Sequence, residues 1–187
     1  MNVVRCDEEG LAAAAAVLKG GGVAAIPTDT VYGLAAHPSF PQAVERLYSI
    51  KGRDGHKPIA LLAADREAVA RHAGGLRGEA ARLAGLWPGA LTLVIGREGG
   101  ATEGYRVPDH AWTRRLLAAC GGLLRVTSAN FSGQPDATDA DAALAGAAAL
   151  ADILADGGPS PGGVPSTVVF VREDGSAKIL RQGAVAI

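Results

Sequence analysis

Val23-Ala24-Ala25-Ile26-Pro27-Thr28-Asp29-Thr30-Val31-Tyr32-Gly33 passes abruptly from an apolar run into a polar one. Residues 23–26 are short, apolar and bounded by Gly20-Gly21-Gly22 and Pro27, the marks of a buried strand. Proline cannot donate to a sheet ladder, so residues 27–33 leave that strand as a polar loop. Loops at strand ends are where α/β folds place their chemistry.

Upstream, Asp7 is a suitable cap for a helix reaching Leu18, in which Leu11, Ala14 or Ala15, and Leu18 share a face. Downstream, Pro41 suits the first position of a helix running to Ile50, with Val44, Leu47 and Tyr48 on one stripe. Residues 59–62 and 91–95 read as strands, the second after the Trp87-Pro88-Gly89 turn. Residues 65–72, 79–86 and 114–119 read as helices. A strand at 123–126 follows, then a helix to Leu150 opened by a capping box of Thr138 and Asp141. Strands at 153–154, 167–171 and 178–180 complete the set. The last two flank Glu173-Asp174-Gly175, a hairpin turn. Alternating elements predict an α/β fold, and the hairpin predicts that part of its sheet is antiparallel.

The chain has 187 residues, 48% of them apolar, enough for one sizeable core and a single domain over 1–187. A net charge of −1 and 4% aromatic residues provide no basic field and few stacking platforms, so direct tRNA or other nucleic-acid binding is expected to be weak or absent. Cys6 and Cys120 have no paired spacing, which argues against zinc and disulfides and for a reducing cytoplasm. No basic-then-apolar leader opens the chain, and the alanine run 12–16 is too short to span a bilayer, so no membrane association is expected.

Neither a P-loop nor a strand-linked G-x-G-x-x-G occurs. Ser128 has no G-x-S-x-G setting, and His37, His56, His72 and His110 form no metal-binding spacing. What remains is a set of polar segments. Lys51, Arg53, His56 and Lys57 gather cationic or titratable groups around two glycines; a solvated helix end would account for them, and so would convergence on a polyphosphate. Arg125 to Gly133 follows a strand with Thr127, Ser128, Asn130 and Ser132. These residue types cap helices and turns, yet Ser128 and Asn130 share a direction suited to phosphate or ribose. Gly157 to Thr167 is a glycine- and proline-rich loop, either a plain linker or a lid anchored at Ser166. Arg106 and Arg181 each stand beside apolar residues. The inventory is rich in cations and hydroxyls and poor in carboxylates, with Asp29 the main one near a strand end, so it suits an anionic ligand without a protein nucleophile.

In order, Pro27-Thr28-Asp29-Thr30-Val31-Tyr32-Gly33-Leu34, Lys51-Gly52-Arg53, Lys57-Pro58, Trp87-Pro88-Gly89-Ala90-Leu91-Thr92, Arg106-Val107-Pro108, Thr127-Ser128-Ala129-Asn130-Phe131-Ser132-Gly133, Pro165-Ser166-Thr167-Val168 and Leu180-Arg181-Gln182-Gly183 resemble the Sua5/YrdC/YwlC family. The resemblance covers about residues 8 to 185 and is closest to the family's short bacterial form. It implies an open, twisted, mixed parallel and antiparallel sheet flanked by helices (YrdC/RibB-like), with a cationic cavity on one face. It also implies a nucleotidyltransferase that makes L-threonylcarbamoyladenylate and pyrophosphate from L-threonine, bicarbonate and ATP. A downstream tRNA threonylcarbamoyl-transfer complex would receive that product for t6A37 modification.

Carried residue by residue, the resemblance implies Lys51, Arg53, Ser128 and Asn130 as catalytic. Arg53, Lys57, Thr102, Ser128, Asn130 and Arg181 would bind ATP. Thr30, Tyr32, Arg106 and Ser166 would bind threonine, with Thr28 and Thr167 lining the same cavity. Mg²⁺ is expected on the ATP phosphates, with no protein metal site. Leu62 stands where many members have histidine, and Gly104-Tyr105 where smaller apolar residues are commoner. Alternatives are a nucleotide- or RNA-binding relative without synthesis, or an enzyme making another carbamoyl-adenylate.

Overall fold

The computed structural model describes residues 1–52, 58–96 and 101–187. In chain order these give β1 (Asn2–Arg5), α1 (Glu8–Lys19), β2 (Val23–Ile26), β3 (Gly33–Ala36), α2 (Pro41–Lys51), β4 (Leu61–Ala63), α3 (Arg66–Ala73) and α4 (Gly78–Leu83). There follow β5 (Leu91–Gly96), β6 (Thr102–Arg106), α5 (Ala111–Ala119), β7 (Leu123–Ser128), α6 (Ala140–Leu144), β8 (Ile153–Asp156), β9 (Thr167–Val171) and β10 (Ala177–Arg181). Short 3₁₀ turns follow α4 at Ala84–Leu86 and α6 at Ala147–Leu150.

The ten strands form one sheet in the order β1-β8-β2-β3-β7-β4-β6-β5-β9-β10. Neighbours run parallel at β1/β8, β8/β2, β4/β6 and β5/β9, and antiparallel at β2/β3, β3/β7, β7/β4, β5/β6 and β9/β10. The mixed α/β sheet expected from the sequence is present, with antiparallel pairing well beyond the one hairpin that announced it.

Three strands escape the sequence pattern. β1 is an exposed edge, β3 (Gly-Leu-Ala-Ala) has no β-branched residue, and β6 opens Thr-Glu-Gly. Packing forms β3 and β6 despite weak intrinsic preference, and β1 is held by its ladder to β8. In β3, Gly33 permits close approach to β7, since a Cβ there would lie 2.6 Å from Val126 Cγ1. The helix expected from 138 to 150 needs correction at both ends. Asp139, not Thr138, caps α6, its Oδ1 accepting from the Ala142 N–H at 2.7 Å. The helix ends at Leu144, with Gly146 outside helical geometry at φ −116°, ψ −142°. Asp139→Ala should lower stability by about 1 kcal/mol, the usual worth of such a cap, measurable by urea unfolding.

The period of two distributes side chains between layers. From β2, Val23 and Ala25 pack with α2 and α6, while Ala24 and Ile26 pack with α1 and α5. At the other end, Leu61, Leu91, Leu93, Ile95, Tyr105 and Val169 join Val69, Leu83 and Trp87 in a third cluster under α3 and α4. The alternate residues Leu62, Thr92, Val94, Gly104, Arg106 and Val168 face the opposite way and floor a cleft.

Candidate functional site

The cleft has a volume of about 440 Å³. Its walls come from the loop after β2, the C-terminal end of β7, the Pro165-Ser166 segment and the end of β10. Arg106 and Arg181 are the cations and Asp136 the carboxylate among its described lining residues.

Arg106 is 6% exposed at the end of β6. Its Nε donates to the Gly89 carbonyl at 3.1 Å, one Nη to Thr30 Oγ1 at 2.8 Å, and the other to the Asp29 carboxylate. Gly89 belongs to the Trp87-Pro88-Gly89 turn, whose Trp87–Pro88 peptide is cis. Burial pushes the guanidinium pKa down and Asp29 opposes that, while like-charged Arg181 lowers it further. Those bonds use one hydrogen on each nitrogen. The second hydrogen of each terminal nitrogen is left for a planar anion such as a carboxylate.

The hydroxyls beside it have a defined direction. Thr28 Oγ1 donates to the Val31 carbonyl at 2.7 Å, which spends its one proton. Thr30 must therefore donate across the 3.0 Å Thr28–Thr30 contact, and it accepts from Arg106. Its remaining lone pair can accept from a ligand N–H or O–H. Tyr32 contributes a wall, but its hydroxyl is engaged by the glycine loop, donating to Gly158 O at 2.8 Å and accepting from Gly157 N at 3.1 Å. Burial pushes this phenol up to about 12, so it stays protonated as a donor at neutral pH.

Across the cleft, Ser166 Oγ meets Thr92 Oγ1 at 2.8 Å, and Arg181 donates to the Ser166 carbonyl through Nε at 3.1 Å and Nη2 at 2.8 Å. Thr92 is a buried cleft residue that sequence reading passed over. The available signal was a hydroxyl in the cleft-facing phase of an otherwise apolar strand. Thr102 lies exposed at the start of β6 and lines the same cleft.

Ser128 lines the cleft at the end of β7, and its Oγ donates to Asn130 Oδ1 at 2.6 Å. Buried Lys51, closing α2, holds this turn from behind. Its Nζ lies 2.7 Å from Ser128 O, 3.2 Å from Ser128 Oγ, and 2.8 Å from both Asn130 O and Asn130 Oδ1. Among the described residues, four oxygens share its N–H groups. Lys51 and Asn130 thus meet at the back of the turn that presents Ser128. Arg53, His56 and Lys57 lie outside the described residues.

The loop expected as a lid is tied to the cleft wall. Gly162 N–H donates to Asp29 O at 3.1 Å and Gly163 N–H to Thr30 O at 2.8 Å. A Cβ on Gly162 would lie 2.6 Å from Asp29 O, so glycine is needed for the approach. Thr28 supports the wall, whereas the Thr167 hydroxyl is turned into the C-terminal tail and accepts from Gly183 N at 2.9 Å. Among the described residues no cluster of His, Cys, Asp or Glu could hold a metal ion. None of their helices is long and apolar enough to cross a membrane.

Comparison with known proteins finds the Sua5/YciO/YrdC family model, described as telomere recombination, matching residues 16–183. A putative threonylcarbamoyl-AMP synthase of Mycobacterium leprae is 36% identical across 95% of this chain and 84% of its own length. The threonylcarbamoyl-AMP synthase of Bacillus subtilis is 34% identical across 94% of this chain, which spans 54% of that protein. Pyrococcus abyssi Sua5 complexed with L-threonine superposes with a TM-score of 0.89 at 31% identity, over 97% of this chain and 57% of that one.

Proposed function

The chain belongs to the Sua5/YciO/YrdC family, and from that premise we propose that its cleft makes L-threonylcarbamoyl-AMP and pyrophosphate from L-threonine, bicarbonate and ATP, as a nucleotidyltransferase. The observation that carries the reading is Arg106, a buried guanidinium fixed by Asp29, Thr30 and Gly89 with N–H groups left over for a carboxylate. The threonine carboxylate docks there. Its amine lies by Thr30, whose free lone pair accepts an N–H.

The amine of threonine and bicarbonate condense to a carbamate with loss of water. A carbamate oxygen then attacks the α-phosphorus of ATP, and pyrophosphate leaves. Both partners are anions, so the protein's task is alignment and charge screening. Ser128, presented by Lys51 and Asn130, and Arg181 serve the nucleotide side with Thr102, joined by Arg53 and Lys57. Ser166 closes the amino-acid side with Thr92. Mg²⁺ bound to the ATP phosphates would supply charge neutralisation for the pyrophosphate leaving group. Asp136, the carboxylate among the described cleft residues, could help to hold the ion. The product passes to a tRNA threonylcarbamoyl-transfer complex in the cytoplasm.

Pyrophosphate release is measured with ATP, Mg²⁺, L-threonine and bicarbonate present, then with each omitted. Release is expected only in the complete mixture. Release that persists without threonine would remove the synthase reading.

A further inference from the structure

Thr167 is fully buried, and all of its hydroxyl's capacity is spent on the tail. Oγ1 donates to Val185 O at 2.6 Å and accepts from Gly183 N at 2.9 Å and Val185 N at 3.1 Å. One proton and two lone pairs leave nothing for a ligand. The tail so gripped lies directly on Ser166. A Cβ on Gly183 would come within 2.2 Å of Pro165 O and 2.4 Å of the Ser166 carbonyl carbon. Ala184 N–H donates to Pro165 O at 3.1 Å, and Arg181, at the head of the same tail, forks onto the Ser166 carbonyl. From the other side the Thr167 N–H donates to Ala90 O at 2.9 Å, and Thr92 meets the Ser166 hydroxyl. Ser166 is clasped between β5 and the tail, and Thr167 fastens both.

We propose that Thr167 is a positioning residue that acts through Gly183 and Val185 to set Ser166 at the amino-acid end of the cleft. The proposal rests on the placement of threonine beside Ser166. It makes a partly exposed tail a determinant of amino-acid affinity, without itself touching substrate.

Thr167→Val deletes the hydroxyl. The KM for L-threonine should rise about three- to tenfold, the range of one or two lost net hydrogen bonds, with the KM for ATP within about twofold. Thr167→Ser, which restores the hydroxyl, should return the threonine KM toward wild type. No change, equal changes in both KM values, or failure of serine to rescue would overturn the proposal. Amide hydrogen exchange at Ala184 and Val185 reads the clasp without activity. Exchange should quicken in the valine variant and recover in the serine variant, and unaltered protection overturns the clasp. If wild type proves not to use threonine, the proposed function falls and exchange alone decides. Should Thr167→Val fold poorly, Val185→Pro deletes one N–H of the clasp from a partly exposed position and takes the same kinetic measurements, with amide exchange read at Ala184.

Discussion

Replacing Arg106 with alanine is expected to raise the KM for L-threonine about a hundredfold or more while changing the KM for ATP less than about threefold. The loss has two parts. A charge-assisted, bidentate contact to the substrate carboxylate disappears, and the Asp29 carboxylate, buried beside the cleft, loses its partner. The second part also lowers folding stability, by about 3 kcal/mol, because an unpaired charge is left behind. Arg106→Lys separates the two effects. It keeps a cation for Asp29 but cannot span Asp29, Thr30, Gly89 and a carboxylate at once, so stability should largely recover while threonine affinity does not. Steady-state kinetics beside urea unfolding give both quantities. Equal losses of threonine and ATP affinity would remove Arg106 from the amino-acid end.

Lys51→Ala should act on the other substrate. The ammonium meets the main-chain and side-chain oxygens of Ser128 and Asn130, so its removal frees the turn that presents Ser128 to the cleft. Turnover is expected to fall about 10²- to 10³-fold if that turn aligns phosphate oxygens in the transition state, with threonine KM little altered. Lys51→Arg should not rescue it, because a planar fork cannot converge on acceptors arranged around one nitrogen. Single-turnover kinetics with saturating threonine provide the test, and unchanged turnover in the alanine variant would separate the turn from the chemistry.

Much of this architecture is legible in the chain because the signals are local and agree with one another. Residues 23–26 and 167–171 are strands with the bounds read from their apolar runs. Asp7 caps α1 and Pro41 opens α2 as their types suggest. Elements specified by packing were not legible. β3 is a strand because β2 and β7 flank it, and β6 tolerates Gly104 because a Cβ there would crowd Ala60, at 3.2 Å. Thr138 carries a fair capping signal, but neighbouring Asp139 makes the bond.

The same division runs through the site. The polar loop after β2 was visible as chemistry in waiting, and Arg106 and Ser166 do meet it around one cleft. The engagement of the Tyr32, Ser166 and Thr167 hydroxyls was not visible, since it depends on partners distant in sequence. Tyr32 and Thr167 look like ligands in a motif, yet their hydroxyls serve the glycine loop and the tail. Asp29, read only as the main carboxylate near a strand end, is the counter-ion of Arg106. Lys51, which reads as a phosphate contact, is buried behind Ser128.

The proposed reaction joins threonine, bicarbonate and the adenylyl group of ATP in one cleft. Mass analysis of the nucleotide product formed from ¹³C-bicarbonate, L-threonine and ATP tests it most directly. An adenylate that contains both threonine and the labelled carbon is expected. An adenylate without the label, or labelled carbon never joined to AMP, would contradict it.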